Sequence, residues 1–180
     1  MPSDKVIRLR ELVRDFLVRD VLPAITAGDA VLEIGPMHAG SCPVPDCFVD
    51  TKAAIEAVGA TYTSCDPDPA ANATVVADFL EPTAFYGDER FDHIIACEVF
   101  EHVPRVWQAP AALAGLLKPG GTLWLSTPFM FEKHGPSPDC WRFTDEGLRQ
   151  LFGPLFLIDV WASDEHSEPL HYCARATRRR

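Results

Sequence analysis

The chain is expected to fold as an α/β domain with a doubly wound, mainly parallel sheet of about seven strands, on three observations. Short apolar runs of strand length alternate with helical patterns almost throughout, the order that βαβ units require. The run Val31-Leu32-Glu33-Ile34 breaks at Gly35 into a loop with a second glycine, Gly40. A buried strand running into a glycine-bearing loop, with an acid at its end, builds a nucleotide pocket at the carboxyl edge of a parallel sheet. Further acids stand where later strands end, at Asp66, Asp78 and Glu98.

The elements follow in order. Residues 4–22 place Val6, Leu9, Val13, Phe16, Leu17 and Val21 at helical spacing, with Ser3 or Asp4 as N-cap and Pro23 as the stop. This helix covers a face of the sheet or lids the ligand site. After the first strand, Pro36, Pro43 and Pro45 keep the segment 36–49 irregular. Asp50 caps a short helix, 51–58, that Gly59 ends. Alternation over 60–66 gives a second strand, followed by the turn Asp66-Pro67-Asp68-Pro69. Strands are expected at 74–79 and 92–97, the latter running into the acidic turn Glu98 to His102. Residues 105–117 read as a helix that Pro110 kinks or delays, 117–121 as a turn, and 122–129 as a fifth strand. A polar loop, 132–139, precedes a helix at 145–152 capped by Thr144. Runs at 155–161 and 169–176 supply the last two strands.

Bulk properties narrow the function classes. One domain over 1–180 suits the length, with a short basic tail at 177–180. A net charge of -10 argues against a protein built to grip nucleic-acid phosphates. Residues 1–20 are charged throughout and no apolar run approaches the roughly 18 residues of a membrane span. The six cysteines form no CxxC pair, so free thiols in a cytoplasmic setting are expected. Cys42, Cys47 and His38 match no strong zinc spacing, and no metal site is expected.

The order of the motifs is more telling than any one of them. Glu33 and Gly35, then Asp66, then Asp78, then EVFEHV (98–103), then Lys118-Pro119-Gly120-Gly121 follow one another. This series resembles the class I S-adenosylmethionine-dependent methyltransferases, in particular the small-molecule branch with an EVLEHV-type segment. The resemblance covers roughly residues 28–176. It implies a Rossmann-like sheet with one antiparallel strand near the C-terminus, and S-adenosylmethionine as cofactor. By the same resemblance, Glu33, Gly35, Pro36 and Gly40 line the methionine and ribose side of that cofactor. Asp66 holds the ribose hydroxyls, Asp78 takes the adenine amino group with Phe79 beside the ring, and Cys97 and Glu98 lie near the sulfonium. The chain departs from the family's GxGxG-like loop in having Met37 where a glycine is expected, with Ala39 or Gly40 as the last small residue.

The acceptor is expected to be a small metabolite or saccharide, methylated on oxygen. An oxygen of high pKa needs a base within reach, and His134 is the candidate on the loop after the fifth strand. His102, Trp141 and Arg142 are candidate substrate-binding residues, with loop anchoring the other reading of Trp141 and Arg142. PSPDCWRFT (136–144) resembles a segment seen in bacterial methyltransferases of this type. His166 and His171 are weaker candidates for the same pocket. Cys97-Glu98-Val99-Phe100 is neither the tetrad of base amino-methylating enzymes nor the Pro-Cys of cytosine-carbon enzymes. A homodimer stays open. Two other readings compete: a non-catalytic binding or partner protein that keeps the fold, and a nicotinamide oxidoreductase, which the absence of GxGxxG disfavours.

Overall fold

Strand side chains alternate between faces, so neighbouring residues of a central strand enter different apolar layers. Val31 and Leu32 do this, as do Ile94 and Ile95. Such strands need helices on both sides, and the computed structural model supplies them. It describes residues 2–38, 40, 42–81, 90–164 and 168–180.

The elements are α1 (Asp4–Phe16), β1 (Ala30–Ile34), α2 (Thr51–Ala57), β2 (Thr61–Asp66), β3 (Val75–Val76), β4 (Phe91–Cys97), α3 (Ala109–Leu116), β5 (Leu117–Pro128), α4 (Asp145–Phe152), β6 (Phe156–Ala162) and β7 (His171–Arg178). Among the described residues they form a seven-stranded sheet in the order β3-β2-β1-β4-β5-β7-β6. All pairs are parallel except those of β7, which runs antiparallel to both β5 and β6. The mainly parallel sheet with one antiparallel strand near the C-terminus is therefore as expected. The strand order reverses between β1 and β4, the place where doubly wound sheets take ligands at the strands' carboxyl ends.

One apolar layer joins Leu32, Ile94, Leu123 and Leu125 of the sheet to Leu113 and Leu116 of α3 and to Leu148 and Phe152 of α4. The other joins Val31, Ile95 and Trp124 to Val13 and Phe16 of α1 and to Ile55 of α2. Ser3 caps α1 by accepting from the Val6 N–H, Asp50 caps α2 through Ala53, and Thr144 caps α4 through Gly147. Past Phe16 the helical path widens into a π-type turn, Leu17–Val21, and closes in a 3-10 turn containing Pro23.

Element boundaries depart from the sequence expectation at the third and fifth strands, and at Pro110 one of the two expected alternatives holds. The third strand is only Val75–Val76: Ala77 N–H makes the last ladder bond, to the Asp66 carbonyl, and the Asp78 side chain then accepts from Leu80 N–H, opening a turn. The Lys-Pro-Gly-Gly turn lies inside β5, since Leu117 already pairs with Phe91 and the register shifts before His93 pairs with Thr122. There Gly120 has φ +83, and a Cβ on Gly121 would come within 3.0 Å of the Asp92 and Lys118 carbonyls. Pro110 delays rather than kinks its helix: it sits in the first turn of α3, behind a 3-10 turn at Val106–Gln108.

Phe152 is fully buried, 5.4 Å from the ring centre of Phe100 and 6.0 Å from that of Phe156. Phe152→Ala is expected to destabilise the chain by about 3–5 kcal/mol, read as a lowered urea midpoint with unchanged slope.

Candidate active site

The end of β1 is shaped by Glu33 and Gly35. Glu33 is buried, and its Oε2 accepts from the Thr51 hydroxyl at 2.5 Å and the Tyr62 hydroxyl at 2.6 Å. Burial pushes its carboxyl above the ordinary range, against the pull of those two donors. Gly35 takes φ +67 and donates its N–H to the Cys65 carbonyl at 3.0 Å. A Cβ there would meet Val99 Cγ2 at 3.0 Å, so the turn needs glycine on two counts. In the loop beyond, Pro36 is buried, Gly40 is exposed with open space around it, and His38 bonds the Ala71 carbonyl. Ala39 and Ser41 lie outside the described residues.

Asp66 ends β2 half-buried, and its Oδ1 accepts from Asp68 N–H at 2.8 Å. Burial moves its carboxyl upward. Asp78 is exposed, while Phe79 turns inward and meets the Phe100 ring edge-on at 6.3 Å. Asp66 thus ends β2, the neighbour of β1, and Asp78 follows β3, the strand beyond it, in the order the resemblance implies.

Cys97 and Glu98 end the central strand β4. Burial pushes the Cys97 thiol strongly upward, so it stays protonated. Glu98 has φ +54, a left-handed backbone that costs a residue with a side chain about 1–3 kcal/mol. Its N–H bonds the Ser126 carbonyl at 3.0 Å, and its Oε1 accepts from the Ser126 hydroxyl at 2.7 Å and faces His171 Nδ1 at 3.1 Å. Burial pushes this carboxyl up, but the bonds from His171 and Ser126 outweigh it and the net shift is downward. His171 is therefore part of the same edge; His166 lies outside the described residues.

The 3-10 turn Phe100–His102 then rolls Glu101 inward, where it is fully buried. Burial first, and then the charge of Glu98, holds the Glu101 carboxyl well above its usual range. His102 Nε2 lies 3.6 Å and His134 Nε2 3.7 Å from Glu101 Oε1. His134 reaches this position because the loop after β5 folds back over the turn. Cys140 N–H donates to the Glu101 carbonyl at 2.7 Å, and the His134 N–H donates to Asp139 Oδ2 at 2.8 Å.

Two expected substrate contacts prove to be anchors of that loop. Arg142 uses all five N–H donors internally: Nε on the Phe131 carbonyl, Nη1 on Asp139 Oδ1 and the Trp141 carbonyl, Nη2 on the Glu132 carbonyl and Asp139 Oδ2. No donor is left for a ligand. The Arg142 guanidinium also holds the Asp139 carboxyl far below the carboxylate range. Trp141 donates its indole N–H to the Val103 carbonyl at 2.8 Å and packs against the core. His102 keeps its Nε2 toward the site while its Nδ1 bonds the Pro138 carbonyl at 2.9 Å.

The first helix both covers the sheet and borders the site. Arg10 Nη1 lies 3.9 Å from the Met37 sulfur, and Lys5 Nζ lies 3.5 Å from Glu132. The odd Met37 thus contacts α1, where the family's glycine would have left space. Sequence reasoning missed Ser126, the partner of Glu98, and left Glu101 open between water and the interior. A serine inside an apolar strand is too common a signal to single out.

Residues 7–163 match the model of a family described as a methyltransferase domain. The chain is 34% identical over 93 residues to an uncharacterized methyltransferase of Mycobacterium avium, a match covering 43% of this chain and only 36% of that relative. Among solved structures it is similar to a SAM-dependent methyltransferase from Archaeoglobus fulgidus, with TM-score 0.68 and 15% identity over 94% of each chain. It is also similar to the N-methyltransferase NodS from Bradyrhizobium japonicum, with TM-score 0.60 and 17% identity over the whole of both chains. At these identities the structural likeness is one of fold. With the family model spanning most of its length, the chain belongs to the methyltransferase-domain family and has the class I S-adenosylmethionine-dependent methyltransferase fold.

Proposed function

We propose that the chain transfers a methyl group from S-adenosylmethionine to an oxygen of a small metabolite or saccharide. The observation that carries this reading is convergence. Glu33 with Gly35 and Cys97 with Glu98 lie at the ends of β1 and β4, which flank the point where the strand order reverses, Asp66 ends the next strand β2, and Asp78 follows β3 beyond it, all at the same edge of the sheet. S-adenosylmethionine is the cofactor. NodS, of the same fold, has been solved in complex with S-adenosyl-L-homocysteine. A Burkholderia thailandensis 1,6-didemethyltoxoflavin-N1-methyltransferase of the fold, with TM-score 0.59, has been solved with bound 1,6-didemethyltoxoflavin and S-adenosylhomocysteine.

The residue roles are those the family resemblance implies, and the chemistry of each side chain suits its role. Glu33, Gly35, Pro36 and Gly40 line the methionine and ribose side. Asp66 binds the two ribose hydroxyls, as a carboxylate offering two acceptor oxygens can. Asp78 accepts from the adenine amino group, with Phe79 fixing the wall below it. The Glu98 carboxylate favours the cationic sulfonium at the end of β4, and Cys97, held neutral, packs beside it.

Methyl transfer is an in-line displacement at a carbon that the sulfonium already activates. The protein's work is alignment, plus removal of the acceptor's proton. Deprotonation depends on His134, whose ring Nε2 points into the cluster with Glu101 and His102. An acceptor hydroxyl would enter between that cluster and the sulfonium.

Calorimetric titration with S-adenosylmethionine is expected to show saturable one-to-one binding; none would favour a non-catalytic partner protein instead. Asp66→Ala should weaken that binding by about 1–3 kcal/mol, and unchanged affinity would remove Asp66 from the ribose site. In His134→Ala, turnover over a panel of phenols and sugars should fall by on the order of 100-fold or more while cofactor affinity holds. Wild-type turnover in that variant would sink the assignment.

A further inference from the structure

Beside the end of β4, three carboxylate oxygens are buried and accept no hydrogen bond: Glu98 Oε2 and both oxygens of Glu101. A carboxylate held from water without donors is costly unless positive charge faces it. The Arg142 charge pulls on Glu101 but hydrogen-bonds neither of its oxygens, because the Arg142 donors are all engaged in the loop. What does face Glu101 is a pair of imidazoles.

Those imidazoles are arranged as ligands rather than as hydrogen-bond partners. Both Nε2 atoms aim at the same oxygen, Glu101 Oε1, from 3.6 and 3.7 Å, too far for a hydrogen bond. Both separations fall inside ~4.2 Å, twice a metal–nitrogen distance of about 2.1 Å. The three ligand atoms lie within 4.8 Å of one another. Each ring is held from behind by its other nitrogen. His102 Nδ1 bonds the Pro138 carbonyl, and His134 Nδ1 faces the Glu132 carbonyl at 3.2 Å and Asp139 Oδ2 at 3.3 Å. An Nδ1–H given to a carbonyl or carboxylate leaves the Nε2 lone pair free and fixes the ring, the support that metal-ligating histidines have. The two imidazole side chains are 13% and 21% exposed, so an ion can enter.

We propose that Glu101, His102 and His134 bind one divalent transition-metal ion, and that the acceptor's hydroxyl oxygen completes its coordination. Two imidazoles and one carboxylate suit zinc and its first-row neighbours, and three protein ligands leave a position open for substrate. Two carboxylates, Glu101 and the adjacent Glu98, balance the ion's two charges. The metal half of the proposal is independent of the activity; the acceptor half rests on the methyl-transfer reading above. In that step the bound hydroxyl's O–H bond breaks and its proton leaves to water, because the ion lowers its pKa. The oxygen then forms the O–C bond as the C–S bond breaks, and the electron pair stays on sulfur, giving neutral S-adenosylhomocysteine. His134 then serves deprotonation as a ligand of the ion and does not itself take the proton, and the site selects acceptors carrying a hydroxyl that can reach the ion.

The test is a titration of chelator-treated, dialysed protein with zinc ion alone, followed by calorimetry. One ion per chain is expected to bind. Glu101→Gln and His134→Ala should each weaken binding by more than about tenfold. Cys140→Ser, at the one exposed thiol beside the loop, should leave it unchanged. Zinc should also raise the melting temperature of the wild type but not that of Glu101→Gln, whose own cooperative melting reports that it is folded. Absence of saturable binding, or binding that both ligand variants retain, overturns the site. If zinc binds as expected but no acceptor is methylated, the methyl-transfer reading fails and the site stands. If turnover persists at full rate after chelation, the ion's role in the reaction is overturned with methyl transfer intact.

Discussion

The burial of Glu98 and Glu101 governs everything at the carboxyl edge of the sheet. Two carboxylates three residues apart, at the end of the central strand, must be compensated by whatever surrounds them. Glu98 accepts its left-handed backbone because Ser126 holds both its N–H and its side chain from the neighbouring strand β5. His171 completes that arrangement, and it can do so only because β7 runs against the other strands. A parallel strand ends at this edge, whereas an antiparallel one begins there, and the pairing of Pro128 with His171 puts the first residue of β7 at that edge. The one reversed strand therefore contributes a residue to the site as well as closing the sheet.

Glu101 makes a second demand, on the loop after β5. The backbone carbonyl of Glu101 receives two N–H groups from that loop, those of Cys140 and Trp141, while its side chain receives none. Arg142 and Asp139 stiffen the loop from within, and His134 is carried to Glu101 as a result. The first helix reaches the same region from the other side through Lys5 and Arg10. The end of β4 and the His-Glu cluster are thus joined by the turn from Cys97 to His102 and are set by different neighbours.

Much of this was legible in the sequence. Strands that alternate across two apolar layers, punctuated by Gly35, Gly59 and the proline turns, leave few topologies open, and acids at strand ends mark the edge. Side-chain direction within short turns was not legible. EVFEHV shows that Glu101 and His102 follow the strand, but whether Glu101 meets water or the core depends on a 3-10 turn fixed by Phe100 packing. Trp141 and Arg142 carry the residue types of a substrate clamp and of a loop anchor alike, and only the count of their donors separates the two. The short β3 and the glycine turn inside β5 eluded the pattern because backbone pairing, not side-chain period, sets them.

The central claim is that the carboxyl edge at β1 and β4 holds the cofactor with its sulfur beside Glu98. A crystal structure with S-adenosylhomocysteine bound tests it most directly. The account predicts the ribose hydroxyls on Asp66, the adenine near Asp78, and the sulfur over the end of β4 next to the Glu101–His102–His134 cluster. A ligand bound elsewhere, or one whose sulfur points away from that cluster, would contradict it.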